Sequence, residues 1–298
     1  MTTQETQTAT TLAANQLAVR PSLGKRLLRF AKQNRIGLVG AVVVGIVLVI
    51  AILAPLIAPY EPSNLLGRRL QSPNARFWLG TDELGRDVFS RIVYGTRISL
   101  YVGMVSVGIA LSLGGIIGII AGFVGGIVDN VLMRLMDILL AFPGLVLAIV
   151  IAGLLGPSTT NAMIAIGIVT TPSFARIARA AVLSVKGEQY IEAATLVGGS
   201  QIHIVWRHIV PNILAPLIVQ ISLSLSTAIL SEAALSFLGL GTQPPSPSWG
   251  SMLSNSRRFM ETMPLLAIVP GVSIMIVVLG FNFLGDGIRD ALDPRLKE

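Results

Sequence analysis

Six long stretches of this chain are apolar and free of Asp, Glu, Lys, Arg and His: Ile36–Ala58, Ile98–Val128, Ile138–Pro157, Thr159–Ala175, Asn212–Ser231 and Thr262–Gly285. About 20 helical residues, each rising about 1.5 Å, cross about 30 Å of hydrocarbon, and in lipid only a helix satisfies its own backbone. The pattern therefore predicts an all-α polytopic membrane protein with six transmembrane helices. Thr159–Ala175 is short, so its helix is expected to continue past Arg176 into water. Ile98–Val128 is too long for one upright helix and must tilt or begin on the membrane surface.

The polar segments between these blocks set the organisation and orientation. Residues 1–35 form a tail. Its first 19 residues are polar, Thr-rich and expected to be unstructured. Leu23, Leu27 and Phe30 then share one face of a short interfacial helix among Lys25, Arg26, Arg29, Lys32 and Arg35. Residues 36–97 hold the first span and a loop on the far side. Residues 98–285 form a five-helix core with a polar inner loop at 176–211, and 286–298 form a second tail. A basic flank before the first span places the N-terminus in the cytoplasm, and six crossings return the C-terminus there. Of 22 Lys and Arg, this orientation puts 14 inside and 8 outside. The first block is too long for a signal-peptide core and is expected to stay in place. Trp78, Trp206 and Trp249 all lie just outside the apolar blocks, as interfacial anchors do.

Composition agrees: 53% hydrophobic residues, 12% charged, mean hydropathy +0.76. A soluble domain carries about twice that share of charge. The net charge of +7 comes from basic residues at the ends of apolar blocks, which is topology information and not a nucleic-acid face. With no Cys there is no disulfide framework, thiolate metal site or cysteine nucleophile.

Spans without ionisable residues argue against a proton-coupled carrier, although sodium coupling through backbone carbonyls stays open. Gly114, Gly118, Gly122 and Gly126 fall four apart along one helix side. They allow a close helix approach, with packing inside the chain preferred over a dimer contact. Pro143, Pro216 and Pro270 lie within spans and are expected to kink them. No phosphate loop, His-Glu-x-x-His or Gly-x-Ser-x-Gly occurs, and no metal set is visible. His203 and His208, the only histidines, are five apart and are not expected to share a helical face. No residue set for enzymatic chemistry is visible, so active transport would need energy from a partner.

The inner segment Arg176–Pro211 is too polar to cross. Glu188–Val197 reads as a helix stopped by Gly198 and Gly199. Ser200 caps a second short helix through Trp206, and Pro211 opens the next span. This helix–turn–helix bracket, held at both ends by spans, either transmits a push from a cytoplasmic partner or packs as an amphipathic loop.

Glu192-Ala193-Ala194, followed by Gly198 and Val210-Pro211, resembles the EAA signature of permease subunits of binding-protein-dependent ABC importers, with Val-Pro in place of the usual Leu-Pro. Gly80–Leu100, Ser236–Gly250 and Leu284–Glu298 resemble the C-type subunit of the dipeptide/oligopeptide/nickel family. The resemblance implies the ABC importer permease fold and a coupling helix that docks into an ATPase, through Glu192, Ala193, Ala194 and Gly198 with Tyr190 and Gly199 beside them. It implies a homologous second permease subunit, two ATP-binding cassette subunits and an extracytoplasmic substrate-binding protein as partners, with lipid and no nucleic acid. ATP is then used by those subunits and no cofactor is bound here. The location implied is the bacterial inner membrane, with peptides as cargo (dipeptides, oligopeptides or glutathione) and nickel as the alternative. A stand-alone carrier or channel is the rival from a different class, and an intramembrane enzyme another.

Outside the bracket, Thr81 or Asp82 is expected to cap a helix starting near Leu84. The resemblance offers Arg86, Asp87 and Arg91 as contacts for the binding protein, and ordinary charge pairing offers an internal Arg–Asp brace, which we prefer. Pro244, Pro245 and Pro247 fix an extended turn. Glu232 reads as a solvated carboxylate at the end of the fifth span. Asp286, Arg289, Asp290 and Asp293 read as a charged cap.

Overall fold

The computed structural model describes residues 34–292. The expected interfacial helix at Leu23–Phe30, the unstructured first 19 residues and Asp293 lie outside them. Among the described residues the regular structure is helical, with one isolated bridge, Thr81 to Asp87. Helix α1 (Arg35–Ile52) starts at Asn34, whose Oδ1 accepts from Gly37 N at 2.8 Å, and α2 (Ala54–Ile57) is a single turn after it. After an irregular segment come α3 (Val88–Val124), α4 (Gly126–Leu140), α5 (Gly144–Leu155) and α6 (Thr159–Lys186). Helix α7 (Gln189–Leu196) is short, and α8 (Gln201–Ile204) runs through a π turn at Val205–Ile209 into α9 (Val210–Phe237). Helices α10 (Trp249–Ser256) and α11 (Leu265–Leu292) complete the chain.

Five helical rods are long and apolar enough to cross a membrane: α1, α3, α6, the continuous Gln201–Phe237 and α11. The expected third span, Ile138–Pro157, is not one helix. The chain bends by 90° between α4 and α5. Pro143 has no N–H to continue the ladder and is itself extended, with ψ 124°, so the helix stops and restarts. The count reaches six only if α4 and α5 together make one crossing; α5 alone, 12 residues or about 18 Å, is too short. Pro216 and Pro270, in contrast, lie inside unbroken helices. Helix α3 takes the long second block as a single rod of 37 residues, about 55 Å.

Two apolar clusters hold the rods together. One joins α3, α5, α6 and α9 around Val102, Ala148, Phe174 and Ile213. The other joins α1, α3, α9, α10 and α11 around Val44, Ile229, Trp249 and Phe281. The most extensive helix pair is α3 with α6. A methyl group at Gly114, Gly118 or Gly122 would meet Thr171 O, Ala175 O and Val182 Cβ respectively, all within 3.0 Å. These three glycines let the backbones touch inside one chain. Gly126 does not join them, because it stands beyond the end of α3 at φ 58° with open space around it. The register (114 on 174, 118 on 178, 122 on 182) makes α3 and α6 parallel. The bracket therefore emerges beside the end of α3, and the segment before Val88 lies at the opposite end of the molecule.

Many large apolar side chains remain exposed, among them Ile36, Val39, Val42, Ile46 and Val49 along one side of α1. A water-soluble monomer does not leave such a strip bare. Lipid or other membrane subunits must cover it.

Candidate functional site

The bracket is built by α7, α8 and the π turn. Glu188 occupies the cap position of α7, and Glu192 lies in the helix's first turn, where a carboxylate favours the N-terminal end of the helix dipole. The chain leaves α7 through Gly198 at φ 86°. Gly198 N donates to Thr195 O at 3.0 Å and Gly199 N to Ala194 O at 3.1 Å. This paired closure needs a left-handed residue after the helix, which glycine supplies without steric cost. Ser200 then caps α8, its Oγ accepting from His203 N at 3.4 Å. The two stop signals and the cap thus stand where the sequence places them.

The end of the second arm differs from expectation. Pro211 does not start a new helix after a break; the helix continues from Gln201 to Phe237 through the π turn. Pro211 lacks the N–H that Arg207 O would receive, and widening the preceding turn relieves the crowding of its ring. Asn212 Nδ2 donates to His208 O at 2.6 Å and meets Tyr190 OH at 3.3 Å, tying α7 to the rod. The wider turn also brings His208 round to His203, with ring centroids 6.1 Å apart. The expectation that the two histidines do not share a face held for a regular α-helix only.

Ile191, Ile204 and Ile209 are buried and seat the bracket on the α3–α6–α9 core. Its other side is bare. Leu196 is 88% exposed, Val197 89% and Ile202 74%. Glu192, Ala193, Gly198 and Gly199 are exposed with them, Ala194 is half-buried, and Tyr190 is 43% exposed. A shallow concavity between the arms is lined by Tyr190, Ala193, Val197, Gly198, His203 and His208. Glu192 caps no helix end, and its carboxylate has no hydrogen-bond partner among the described residues. All six residues singled out by the resemblance thus fall on one bracket.

At the opposite end the polar side chains face inward. Helix α3 starts at Val88, later than expected, and its cap is Asp87, which accepts from Ser90 N at 2.8 Å and Ser90 Oγ at 2.7 Å. Asp82 forms a turn instead of a cap, accepting from Leu84 N and Arg86 N at 2.9 Å and from Arg86 Nε at 2.6 Å. Arg91 Nε stands 3.4 Å from Asp82, and Arg91 Nη1 donates to Pro62 O at 3.1 Å. Arg86, Asp87 and Arg91 are all buried. The internal brace is what the structure displays, with Arg86 and Arg91 both on Asp82.

Glu232 and Trp249 are corrections. Glu232 is fully buried, not solvated. Its Oε1 accepts from Ser236 Oγ at 2.7 Å, Ser248 Oγ at 3.0 Å and Thr242 Oγ1 at 3.2 Å, so one carboxylate gathers the whole turn after α9. Trp249 is 2% exposed and anchors no interface. Its ring lies against Gly95, and its Nε1 donates to Ile92 O at 3.1 Å. Trp78 and Trp206 are exposed, at 59% and 69%. Of the charged cap, Asp290 Oδ2 accepts from Asn34 Nδ2 at 2.6 Å, closing the end of α11 onto the start of α1.

Comparison with known proteins bears on what this arrangement serves. Residues 114–298 match the family described as the binding-protein-dependent transport system inner membrane component, and residues 22–75 match the N-terminal TM domain of oligopeptide transport permease C. A dipeptide transport system permease protein of Alkalihalophilus pseudofirmus is 51% identical over 271 residues, covering 89% of this chain and 88% of the relative. A di/tripeptide permease protein of Pseudomonas aeruginosa is 44% identical, with 96% of each chain covered. A glutathione transport permease protein of Pectobacterium atrosepticum is 42% identical, with 90% of each covered. Among solved structures, an inward-facing MetNI methionine ABC transporter chain superposes with a TM-score of 0.55 at 19% identity, over 69% of this chain and 98% of the other, which is a likeness of fold.

Proposed function

This chain belongs to the family of binding-protein-dependent transport system inner membrane components, and on that premise we propose that it forms, with a homologous permease, the pathway by which short peptides enter the cell. Dipeptides are the cargo favoured by the 51% identical relative. Both termini face the cytoplasm, and two ATPase subunits sit beneath the pair. Closure of the ATPases on ATP moves the bracket, and the bracket moves the spans. An extracytoplasmic protein delivers the peptide to the opposite face.

The observation that carries this reading is the bare side of the bracket. Leu196, Val197 and Ile202 are exposed on an element continuous with two crossing-length helices. Apolar side chains left bare together in that position mark a surface for a partner to cover. The carboxylate of Glu192, at the start of the same helix, is placed to accept a donor from that partner.

Purification in mild detergent should bring an ATPase with the chain. In liposomes containing the complete importer, Glu192→Ala and Gly198→Leu should leave ATP hydrolysis running while peptide uptake falls about tenfold, as expected for loss of a typical coupling free energy. Undiminished uptake by both variants would reduce the bracket to packing.

A further inference from the structure

Helix α4 is loosely anchored for its length. Of its 15 residues only Met136 is buried, while Ile127, Val131, Leu135 and Ile138 are exposed. Both its ends are joints. At one, Gly125 and Gly126 have φ of 73° and 58°, with nothing within 4 Å of where a side chain would begin. At the other, the chain turns by 90° into α5.

What fastens α4 to the body is charge. Arg179 of α6 donates from Nε and Nη2 to the two carboxylate oxygens of Asp129, at 2.5 and 2.6 Å. Three residues earlier, Arg176 Nη2 donates to Asp137 Oδ1 at 2.6 Å. The higher-numbered Arg meets the lower-numbered Asp, so α4 lies antiparallel along the final turns of α6. Lys186 Nζ donates to Phe123 O at 2.7 Å, just before the glycine joint. The two ion pairs are unequal. Arg176 and Asp137 have side chains 54% and 46% exposed, the class of pair that holds little. Arg179 and Asp129 are 35% and 13% exposed and joined in fork geometry, which is stronger and directional. Arg179 is therefore the principal clasp, and it sits two turns before the residue where α6 gives way to the bracket.

We infer that α4 is a lever clamped to the bracket-bearing end of α6: the Arg179–Asp129 clasp holds it there, so displacement of the bracket carries α4 along with α6 and moves α5 through the 90° break between them. This inference rests on the reading of the chain as a subunit driven through its bracket. The broken span is then the moving part of the pathway, and the clasp is what makes it move in step with ATP.

The test uses the complete importer in liposomes, with dipeptide, binding protein and ATP. Asp129→Asn and Arg179→Gln should each retain ATP hydrolysis while peptide delivered per ATP falls roughly tenfold. Exchanging the charges in one chain, Asp129→Arg with Arg179→Asp, should recover most of the loss. A parental ratio in the single variants, or an exchange variant that inserts normally yet recovers nothing, overturns the lever. Because the chain has no Cys, spin labels at Asn130→Cys and Leu183→Cys report the α4–α6 separation and do not depend on the exchange folding. The separation should be narrow and the same with and without ATP in the parent, and broad in Asp129→Asn. A parental separation that shifts with ATP also overturns the lever. If the parent importer concentrates peptide without its ATPases, the bracket-driven reading fails and the lever fails with it. If uptake is ATP-driven and the Asp129 and Arg179 variants are unimpaired, only the lever is lost.

Discussion

The two ends of this molecule treat their polar and apolar side chains in opposite ways. At the end carrying the turn after α9, Glu232, Asp82, Arg86 and Arg91 are buried and engaged with one another or with loop hydroxyls and carbonyls, and Trp249 fills the space left by Gly95. At the bracket end, Leu196, Val197 and Ile202 stand bare beside Glu192, whose carboxylate has no hydrogen-bond partner among the described residues. One end is held mainly by the chain's own contacts, with Arg91 Nε and Glu232 Oε2 the buried atoms there that have no hydrogen-bond partner among the described residues. The other is complete only when something else covers it. A buried polar network must be satisfied where it stands, whereas an exposed apolar tip costs the folded subunit little and waits for a partner.

That contrast is sharpest where a substitution separates stability from assembly. Trp249→Ala should do the greatest damage, about 3–5 kcal/mol from lost burial and the cavity left behind, read as a lower unfolding midpoint of the detergent-solubilised subunit. Glu232→Ala should come next at about 2–3 kcal/mol, because three hydroxyls lose their shared acceptor; Glu232→Gln keeps an acceptor and should lose less. The smallest stability change, within about 0.5 kcal/mol, is expected for Leu196→Ser with Val197→Ser, although this pair should abolish co-purification of the ATPase. If the paired variant unfolds as readily as Trp249→Ala, the bracket belongs to the core and the contrast disappears.

The sequence made the bracket readable because its punctuation is local. Gly198, Gly199 and Ser200 act within a few residues of themselves, and their left-handed turn and cap follow from residue type. The spacing of Gly114, Gly118 and Gly122 was equally legible as a close helix approach, though which helix would fill it was not. Trp249 and Glu232 were misread for a common reason. Both lie at the edge of an apolar block, where hydropathy cannot distinguish a side chain facing water or headgroups from one facing protein. The partner of Trp249, Ile92, is 157 residues away in sequence. The break at Pro143 was expected only as a kink, since nothing nearby signals whether a proline bends a helix or ends it. The π turn at Val205–Ile209 follows from Pro211 once the helix is known to continue, and that continuity comes from packing on α6.

The unbroken helix from Gln201 to Phe237 carries Glu232 some 31 residues from its first turn, a span of about 45 Å. A tilt of about 5° at one extremity displaces the other by about 4 Å over that length. The carboxylate that gathers Ser236, Thr242 and Ser248 rides on this same shaft. On the proposed reading, a tilt imposed at the bracket would therefore be felt at the turn holding Ser236, Thr242 and Ser248, so the two ends of the molecule would share one shaft.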